Sequence, residues 1–227
     1  MRNLLIILLA LRSIIAFASG PKPSPCPDNI FYECVREMLL LHKNDTVLVR
    51  KYRENWLLKA RQEKNYREEV AALRDIMYHA NKKYLAQYAD SLVIAAQNTK
   101  DAVLIGQAWL TKGIAYYGQN KNQQALKYYL KADSTLAPTT ETYSKYKVRY
   151  AIANTKYYLG FYDEAKSLFL QCLDYNKNEN DTAYLSTLYS LALCEGKLGH
   201  FDKSYMYATI GRLESQNRPE RRHRLSI

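Results

Sequence analysis

A repeat period close to 40 residues limits the fold of this sequence more than any other feature. Four equivalent small or apolar positions, separated by 40, 40 and 39 residues, are occupied by Leu85, Ala125, Ala165 and Ser204. Self-similarity at such a period is typical of solenoids, in which each unit buries its apolar face only against its neighbours. The sequence therefore predicts four stacked helical hairpins.

The clearest copy occupies residues 109–138, and its pattern residues are Trp109, Gly113, Tyr116, Ala125, Tyr129 and Ala132. It resembles the tetratricopeptide repeat (TPR) pattern W-x-x-L-G-x-x-Y, A-x-x-x-F and A followed by P, although Lys112 replaces the Leu and Pro138 comes one place late. Further copies occupy residues 84–91, 159–172 and 198–204. The resemblance implies an all-α fold, a TPR-type right-handed superhelix of antiparallel helical hairpins.

The repeat register predicts how the chain is divided. We expect a signal peptide at 1–18, a Pro-rich linker at 19–27, a helical N-terminal cap at 28–65, four TPR-like repeats at 66–104, 105–143, 144–182 and 183–215, and a basic tail at 216–227. Helices are expected at 66–79, 82–97, 105–118, 121–136, 144–159, 161–176, 183–198 and 201–214. The usual TPR period is about 34 residues, so these helices should be longer by roughly a turn and a half and the concave face should be deep.

Small residues at fixed repeat positions predict where the two helices of each hairpin cross. These positions hold Gly113, Ala153 and Ala192 in the first helices and Ala125, Ala165 and Ser204 in the second helices. Small side chains let two backbones approach, while Tyr129 and Phe169 fill the space between neighbouring repeats. Gly160 and Gly199 follow the last apolar residue of a first helix, where a left-handed cap favours glycine.

The N-terminus has the features of a secretory signal peptide. A basic start at Arg2 is followed by an apolar run at 4–11 and a small-x-small pattern at 16–18. A retained anchor is the alternative, but the stretch at 4–18 is shorter than the roughly 20 residues of a membrane span and Arg12 interrupts it. We expect an exported, periplasmic protein, with membrane association through an uncleaved N-terminus as the alternative.

The four cysteines form two groups. Cys26 and Cys34 flank a segment outside the repeats and could close a small disulfide loop in an oxidising compartment. Cys172 and Cys194 fall at apolar helix positions, where buried small hydrophobic side chains are expected.

The chain is basic, with a formal net charge of +11 at pH 7. Cleavage after residue 18 would remove Arg2 and Arg12 and leave +9. A basic balance is compatible with nucleic acid, an anionic membrane or acidic peptides. An exported protein rarely meets nucleic acid, and the basic residues are spread through the predicted helices, so we expect a protein or acidic peptide as the partner.

The sequence carries no pattern that indicates catalysis, a metal or a cofactor. Its histidines, His42, His79, His200 and His223, form no H-E-x-x-H motif. The chain also lacks G-x-S-x-G, G-x-G-x-x-G and a phosphate-binding loop. We expect a protein that is not an enzyme.

The face of the first helices that lines the groove in TPR proteins is rich in tyrosine and basic residues. The predicted groove residues are Arg67, Arg74, Tyr78, Tyr117, Lys147, Tyr150, Asn154, Tyr157, Tyr158, Tyr189 and Lys197. The same face includes Met77, Gln107, Leu110, Ile114, Ser186 and Leu193 and no acid. Tyrosine offers a rigid apolar surface with a polar tip, and Lys or Arg offers charge-assisted donors, which suits a peptide bearing carboxylates. An ordinary solvated face is the alternative.

Most of residues 45–215 also resemble the periplasmic TPR sensor region of membrane-anchored regulators from Bacteroidota, through 56–60, 88–91, 108–117 and 125–132. In those regulators a transmembrane helix and an AraC-type DNA-binding domain or a histidine-kinase module follow the repeats. Residues 215–227 contain neither an apolar run of spanning length nor a helix-turn-helix pattern, so the DNA-binding role does not carry over. We expect an exported peptide-binding module that senses or scaffolds, with a truncated regulator sensor or a structural assembly scaffold as alternatives.

Overall fold

The computed structural model of the protein describes residues 26–81, 84–179 and 181–216, except the side chains of 178, 179 and 181. The expected signal peptide, most of the linker and nearly all of the basic tail lie outside this range. The chain divides into two compact units, one ending at Trp56 and the other beginning at Leu57. Each unit is described separately.

The first unit contains a short 3-10 helix, Asp28–Ile30, then helix α1, Phe31–Leu41, and the beginning of α2, Thr46–Gln62. Asp45 initiates α2, because its Oδ1 accepts hydrogen bonds from the amides of Val47 and Leu48 at 3.1 and 2.9 Å. Cys26 and Cys34 form a disulfide with Cα atoms 5.5 Å apart. The buried residues of this unit include Phe31, Val35, Val49, Tyr52 and Trp56.

The second unit consists of the end of α2 and eight further helices among the described residues. These are α3 Tyr66–His79, α4 Leu85–Asn98, α5 Ala102–Tyr117, α6 Asn122–Leu136, α7 Thr142–Tyr158, α8 Tyr162–Glu179, α9 Asp181–Lys197 and α10 Phe201–Gln216. From α3 to α10 each helix packs against the next, and the first helices of neighbouring hairpins, α5, α7 and α9, also contact each other. This arrangement of antiparallel helical hairpins confirms the expected all-α, TPR-type fold.

Small residues occupy the helix crossings as expected. Ala125 and Ala165 are 0% exposed. An ideal Cβ added to Gly113 would lie 2.3 Å from Cε1 of Tyr129, so only glycine lets α5 come this close to α6. Gly106 makes a similar approach, with the Cγ of Leu136 2.4 Å from the added Cβ, and the sequence analysis did not foresee that contact.

Both predicted left-handed caps are confirmed, with φ of +89° at Gly160 and +79° at Gly199. Every helix of the second unit begins and ends within three residues of its expected bounds. The division into cap, repeats, linker and tail stays a prediction. No helix in the described part of the chain combines the length and the apolar character needed to cross a membrane.

Candidate peptide-binding face

The predicted groove residues lie on the first helices of the four hairpins, and we call this surface the first-helix face. Its members are Arg67, Arg74 and Tyr78 on α3, Tyr117 on α5, Lys147, Tyr150, Asn154, Tyr157 and Tyr158 on α7, and Tyr189 and Lys197 on α9. Hydrogen bonds between side chains join neighbouring first helices. The amide nitrogen of Asn154 donates to the phenolic oxygen of Tyr117 at 2.9 Å, and the hydroxyls of Tyr150 and Ser190 lie 3.0 Å apart. The face is therefore continuous from α5 to α9.

A second series of polar contacts joins α3, α5 and α7. Nη1 of Arg74 donates to Oε1 of Gln107 at 3.3 Å, and Nε2 of Gln107 donates to Oγ of Ser144 at 3.0 Å. The Ser144 hydroxyl in turn donates to Glu141, whose carboxylate also accepts from the Ser144 amide. These contacts fix the spacing of the first helices, which a binding surface needs in order to be preorganised.

One basic residue of the face is paired with an acid that lies outside the predicted groove positions. Nη2 of Arg67 donates to Oδ2 of Asp101 at 2.9 Å. Asp101 also begins α5, because its Oδ1 accepts from the amides of Val103 and Leu104. The hydrogen bond from the Leu104 amide is the largest of the causes that lower the pKa of Asp101. Arg67 therefore acts as a structural partner of Asp101 as well as a surface cation.

Four cations and three tyrosines of the face are exposed, and Arg67 is the one of these cations that is paired with Asp101. Tyr78, Tyr158 and Tyr189 are 85%, 59% and 65% exposed. Lys147 and Lys197 are exposed, and neither ammonium group forms an ion pair among the described residues. These five side chains, the exposed Arg67 and Arg74, and the exposed Ile114 and Leu193 beside them on the first helices form the part of the face that can contact a ligand.

Other predicted groove residues form the floor beneath this surface. Tyr157 contacts the ring of Tyr162 with centroids 5.5 Å apart, and Tyr150 lies 5.3 Å from the ring of Phe169. Both tyrosines pack against the core formed by Ala153, Ala165, Phe169, Leu191 and Cys194. Burial raises the pKa of each phenol, so both stay neutral. Both rings therefore take part in contacts between helices.

Three more residues of the face are buried or partly buried. Met77 and Leu110 are buried in the cores beside α3 and α5. Tyr117 is partly buried, and burial raises its pKa to about 12. A first-helix residue that follows the groove register can thus point between hairpins, because the helices are rotated about their axes by the packing of the cores.

A cavity of about 320 Å³ opens at the N-terminal ends of α7 and α9 and the C-terminal end of α8. Its lining residues are Tyr143, Tyr146, Lys147, Tyr150, Tyr175, Asn176, Thr182, Ala183 and Ser186. We call this cavity the tyrosine pocket. Because Lys147, Tyr150 and Ser186 belong to the predicted groove register, the pocket is continuous with the first-helix face.

Aromatic stacking shapes the walls of the tyrosine pocket. The rings of Tyr146 and Tyr175 are parallel within 3°, with centroids 3.9 Å apart. Lys147 Nζ lies 5.8 Å from the centre of the Tyr143 ring, and the Arg149 guanidinium lies 4.9 Å from the centre of the Tyr146 ring. Among the side chains that the structure describes, no Asp or Glu lines the pocket. The pocket therefore combines aromatic walls with a positive electrostatic environment.

Sequence reasoning missed the pocket residues Tyr143, Tyr146, Tyr175 and Asn176. No sequence signal marked them, because the pocket forms where the ends of three helices meet and depends on how those helices pack.

No group of three or more His, Cys, Asp or Glu side chains in the described part of the chain is arranged to hold a metal ion. The cysteines of the repeats, Cys172 and Cys194, are buried as expected and unpaired. Burial raises the pKa of Cys172 to about 12 and that of Cys194 to about 11, so neither thiol is a ready nucleophile.

Comparison with known proteins identifies the fold and leaves the family open. No protein-family model matches the sequence. No curated protein sequence matches it significantly.

Solved structures of repeat proteins match it closely in shape. A Signal Transduction ATPase with Numerous Domains from Pyrococcus horikoshii, which has a tetratricopeptide repeat sensor, matches 84% of this chain with a TM-score of 0.71 and 12% identity, although this chain spans only 30% of that structure. The nearly identical TPR-like repeats of a Podosopora anserina protein named after kinesin light chain match 85% of this chain and 96% of their own length, with a TM-score of 0.64 and 14% identity. A Rap protein complexed with Competence and Sporulation Factor matches 84% of this chain and 64% of its own length, with a TM-score of 0.50 and 12% identity. At these identities the likeness concerns the fold alone: this chain has the helical-repeat fold of TPR proteins.

Proposed function

We propose that this protein is a non-catalytic binding module whose first-helix face takes an acidic peptide or an acidic segment of another protein. The observation that carries the proposal is the set of exposed tyrosines and unpaired lysines on that face, Tyr78, Tyr158, Tyr189, Lys147 and Lys197. Exposed aromatic rings supply contact area at low entropic cost, and ammonium groups without internal partners attract carboxylates.

Two properties of the structural neighbours support a binding role. The Rap protein is complexed with Competence and Sporulation Factor, and the Pyrococcus protein has a tetratricopeptide repeat sensor. Binding by the repeats is therefore compatible with a fold of this kind. By the same reasoning we favour sensing over a purely structural scaffold, as in the sensor region of the Bacteroidota regulators that the sequence resembles.

The test uses short synthetic peptides rather than an unknown natural partner. Fluorescein-labelled peptides rich in Glu and Leu, and matched peptides with Lys in place of Glu, are titrated with the protein and followed by fluorescence anisotropy. We expect the acidic series to bind and the basic series not to bind. Affinity should fall as salt is raised from roughly 0.01 M to roughly 1 M, because the Debye length falls from about 30 Å to about 3 Å.

A double variant locates the binding surface. Lys147→Glu with Tyr158→Ala changes two exposed groups of the first-helix face and leaves the cores intact. The matched control is Lys127→Glu with Tyr205→Ala, which makes the same chemical changes at exposed positions of the second helices α6 and α10. We expect only the first pair to weaken binding. Equal weakening by both pairs, or by neither, would assign binding to another surface.

We further propose that the protein is exported to the periplasm. The signal features of residues 1–18 motivate this, and the Cys26–Cys34 disulfide is of the kind that persists in oxidising compartments. Cell fractionation followed by N-terminal sequencing tests it. A mature N-terminus near residue 19 in the periplasmic fraction is expected, whereas an intact N-terminus in the membrane fraction would support the retained anchor.

A further inference from the structure

We propose that the tyrosine pocket anchors one aromatic side chain of the bound peptide, with a carboxylate next to that side chain paired to Lys147. This inference rests on the proposed binding function and specifies which part of the ligand gives it specificity. It follows from the size of the pocket, the chemistry of its walls and the sign of its charge.

The size of the pocket excludes a length of folded chain. Ligand pockets in proteins range from about 300 to about 1,000 Å³, so a cavity of about 320 Å³ lies at the lower end. Such a volume suits one large side chain that leaves the peptide backbone outside. The backbone then continues along the first-helix face, where Tyr158 and Tyr189 are exposed.

The walls favour an aromatic occupant. The stacked pair of Tyr146 and Tyr175 is rigid, because each ring is partly buried and their planes are parallel at 3.9 Å. Tyr150 forms another wall, held by its hydroxyl contact with Ser190 and its ring contact with Phe169. Preformed aromatic walls lose little conformational entropy on binding and make edge-to-face contacts with an inserted ring.

The charge of the pocket decides between two kinds of aromatic-lined site. Tyrosine cages commonly bind cations such as quaternary ammonium groups. Here Lys147 and Arg149 already lie over the Tyr143 and Tyr146 rings, and no Asp or Glu is among the described side chains that line the pocket. A second cation would be repelled. The ligand therefore carries an anion, and the exposed ammonium group of Lys147 at the pocket is its partner.

The carboxylate can belong to the C-terminus of the peptide or to a neighbouring Asp or Glu side chain. Two peptide series distinguish these sources. In one series a Trp is the last residue and has a free carboxylate; in the other an internal Trp lies between two Asp residues in a peptide with an amidated C-terminus. Each has a counterpart in which Trp is replaced by Ala.

The pocket is filled by either of two variants, Ala183→Trp or Ser186→Phe. Because they change different lining residues, the test can still be made if one of them does not fold. Ala208→Trp is the matched control, because it adds the same side chain at an exposed position of α10. Circular dichroism establishes that each variant is folded. Lys147→Gln removes the positive charge of Lys147 at the pocket and leaves the aromatic walls unchanged.

In the unmodified protein we expect a Trp peptide to bind at least about thirtyfold more tightly than its Ala counterpart, as for a central hot-spot residue. Filling the pocket should reduce that ratio to near one without abolishing the weaker binding of the Ala peptide, while Ala208→Trp should leave the ratio unchanged. Lys147→Gln should weaken the Trp peptide by about two- to fivefold, the range for an exposed ion pair. Whichever peptide series shows this loss identifies the source of the carboxylate.

N-acetyltryptophan and its neutral amide test the pocket without the rest of the face. We expect saturation-transfer NMR to detect the carboxylate form on the unmodified protein and to lose it in the filled variants. If no acidic peptide binds, the proposed function fails, and the N-acetyltryptophan result still decides the pocket. Equal affinity for Trp and Ala peptides, a ratio unaffected by filling the pocket, or no binding of N-acetyltryptophan would overturn the inference.

Discussion

Replacing Gly113 by Ala tests the close contact between α5 and α6 on which the second hairpin depends. The Cβ of the new residue would lie 2.3 and 2.4 Å from two ring carbons of Tyr129. Ordinary carbon contacts lie at about 3.5–4.0 Å, so the ring or the helix has to shift by more than about 1 Å. The ring cannot move into solvent, because Tyr129 is buried among Leu110, Leu136 and Val148.

Two effects of opposite sign determine the magnitude. Overpacking of a rigid core costs about 1–3 kcal/mol. Alanine in a helix interior gains about 0.5–1 kcal/mol over glycine. Since the overlap falls on a buried ring, we expect the first effect to dominate and the free energy of unfolding to fall by about 1–2 kcal/mol. For a chain of this size that corresponds to a Tm lower by about 2–8 °C.

The assay is thermal and urea unfolding followed by far-ultraviolet circular dichroism. Gly118→Ala is the control, because Gly118 has a right-handed φ of −62° and its added Cβ would make only ordinary contacts, with the carbonyl oxygens of Ile114 and Ala115 at 3.5 and 3.9 Å. That change should stabilise the protein by about 0.4–1 kcal/mol through the unfolded state. Tyr129→Leu in the Gly113→Ala background should recover part of the loss caused by the clash. A Gly113→Ala protein as stable as the Gly118→Ala protein would refute the close-contact argument.

Three further predictions concern thiols, a cap and a turn. Cys172 and Cys194 should react with a thiol reagent only on unfolding, since both are buried with raised pKa values; rapid reaction of the native protein, measured by absorbance, would contradict their burial. Asp101→Ala should lower the free energy of unfolding by about 1 kcal/mol through loss of the α5 cap. The pKa of Asp101 is lowered in the folded protein. The contribution of its charge to stability is therefore fully present above about pH 3.9 and is lost as the pH falls through the folded pKa. The Tm difference between wild type and Asp101→Asn should accordingly shrink in acid. Gly160→Ala should destabilise by about 1 kcal/mol, because φ is +89° there, although no neighbouring atom would clash; an unchanged urea midpoint would show that the turn relaxes.

Local chemistry determined most of the fold. The spacing of Ala125, Ala165 and Ser204 sets the hairpin register because helix crossings accept only small side chains at fixed intervals. Gly160 and Gly199 mark helix ends because a left-handed backbone penalises every residue with a Cβ. These requirements act within one hairpin, so they can be recognised in the sequence without knowing how the hairpins pack against each other.

The residues of the binding face could be predicted from the sequence only in part. The repeat register correctly brought Tyr78, Tyr158 and Tyr189 to an exposed surface. It could not separate them from Tyr150 and Tyr157, whose rings face the cores, because a small rotation of a helix about its axis moves a side chain from the surface into a contact between helices. Such rotations are determined by the packing of all neighbouring side chains together.

The tyrosine pocket was decided by tertiary structure alone. The long period predicted longer helices, and composition indicated abundant tyrosine, but neither showed that the ends of α7, α8 and α9 would enclose a space. A cavity is the volume that three helices leave unfilled, and it depends on their separations and crossing angles rather than on any one segment. For this protein the sequence therefore determined the hairpins and the sign of their surface charge, while the packing of three helix ends determined the shape of the site.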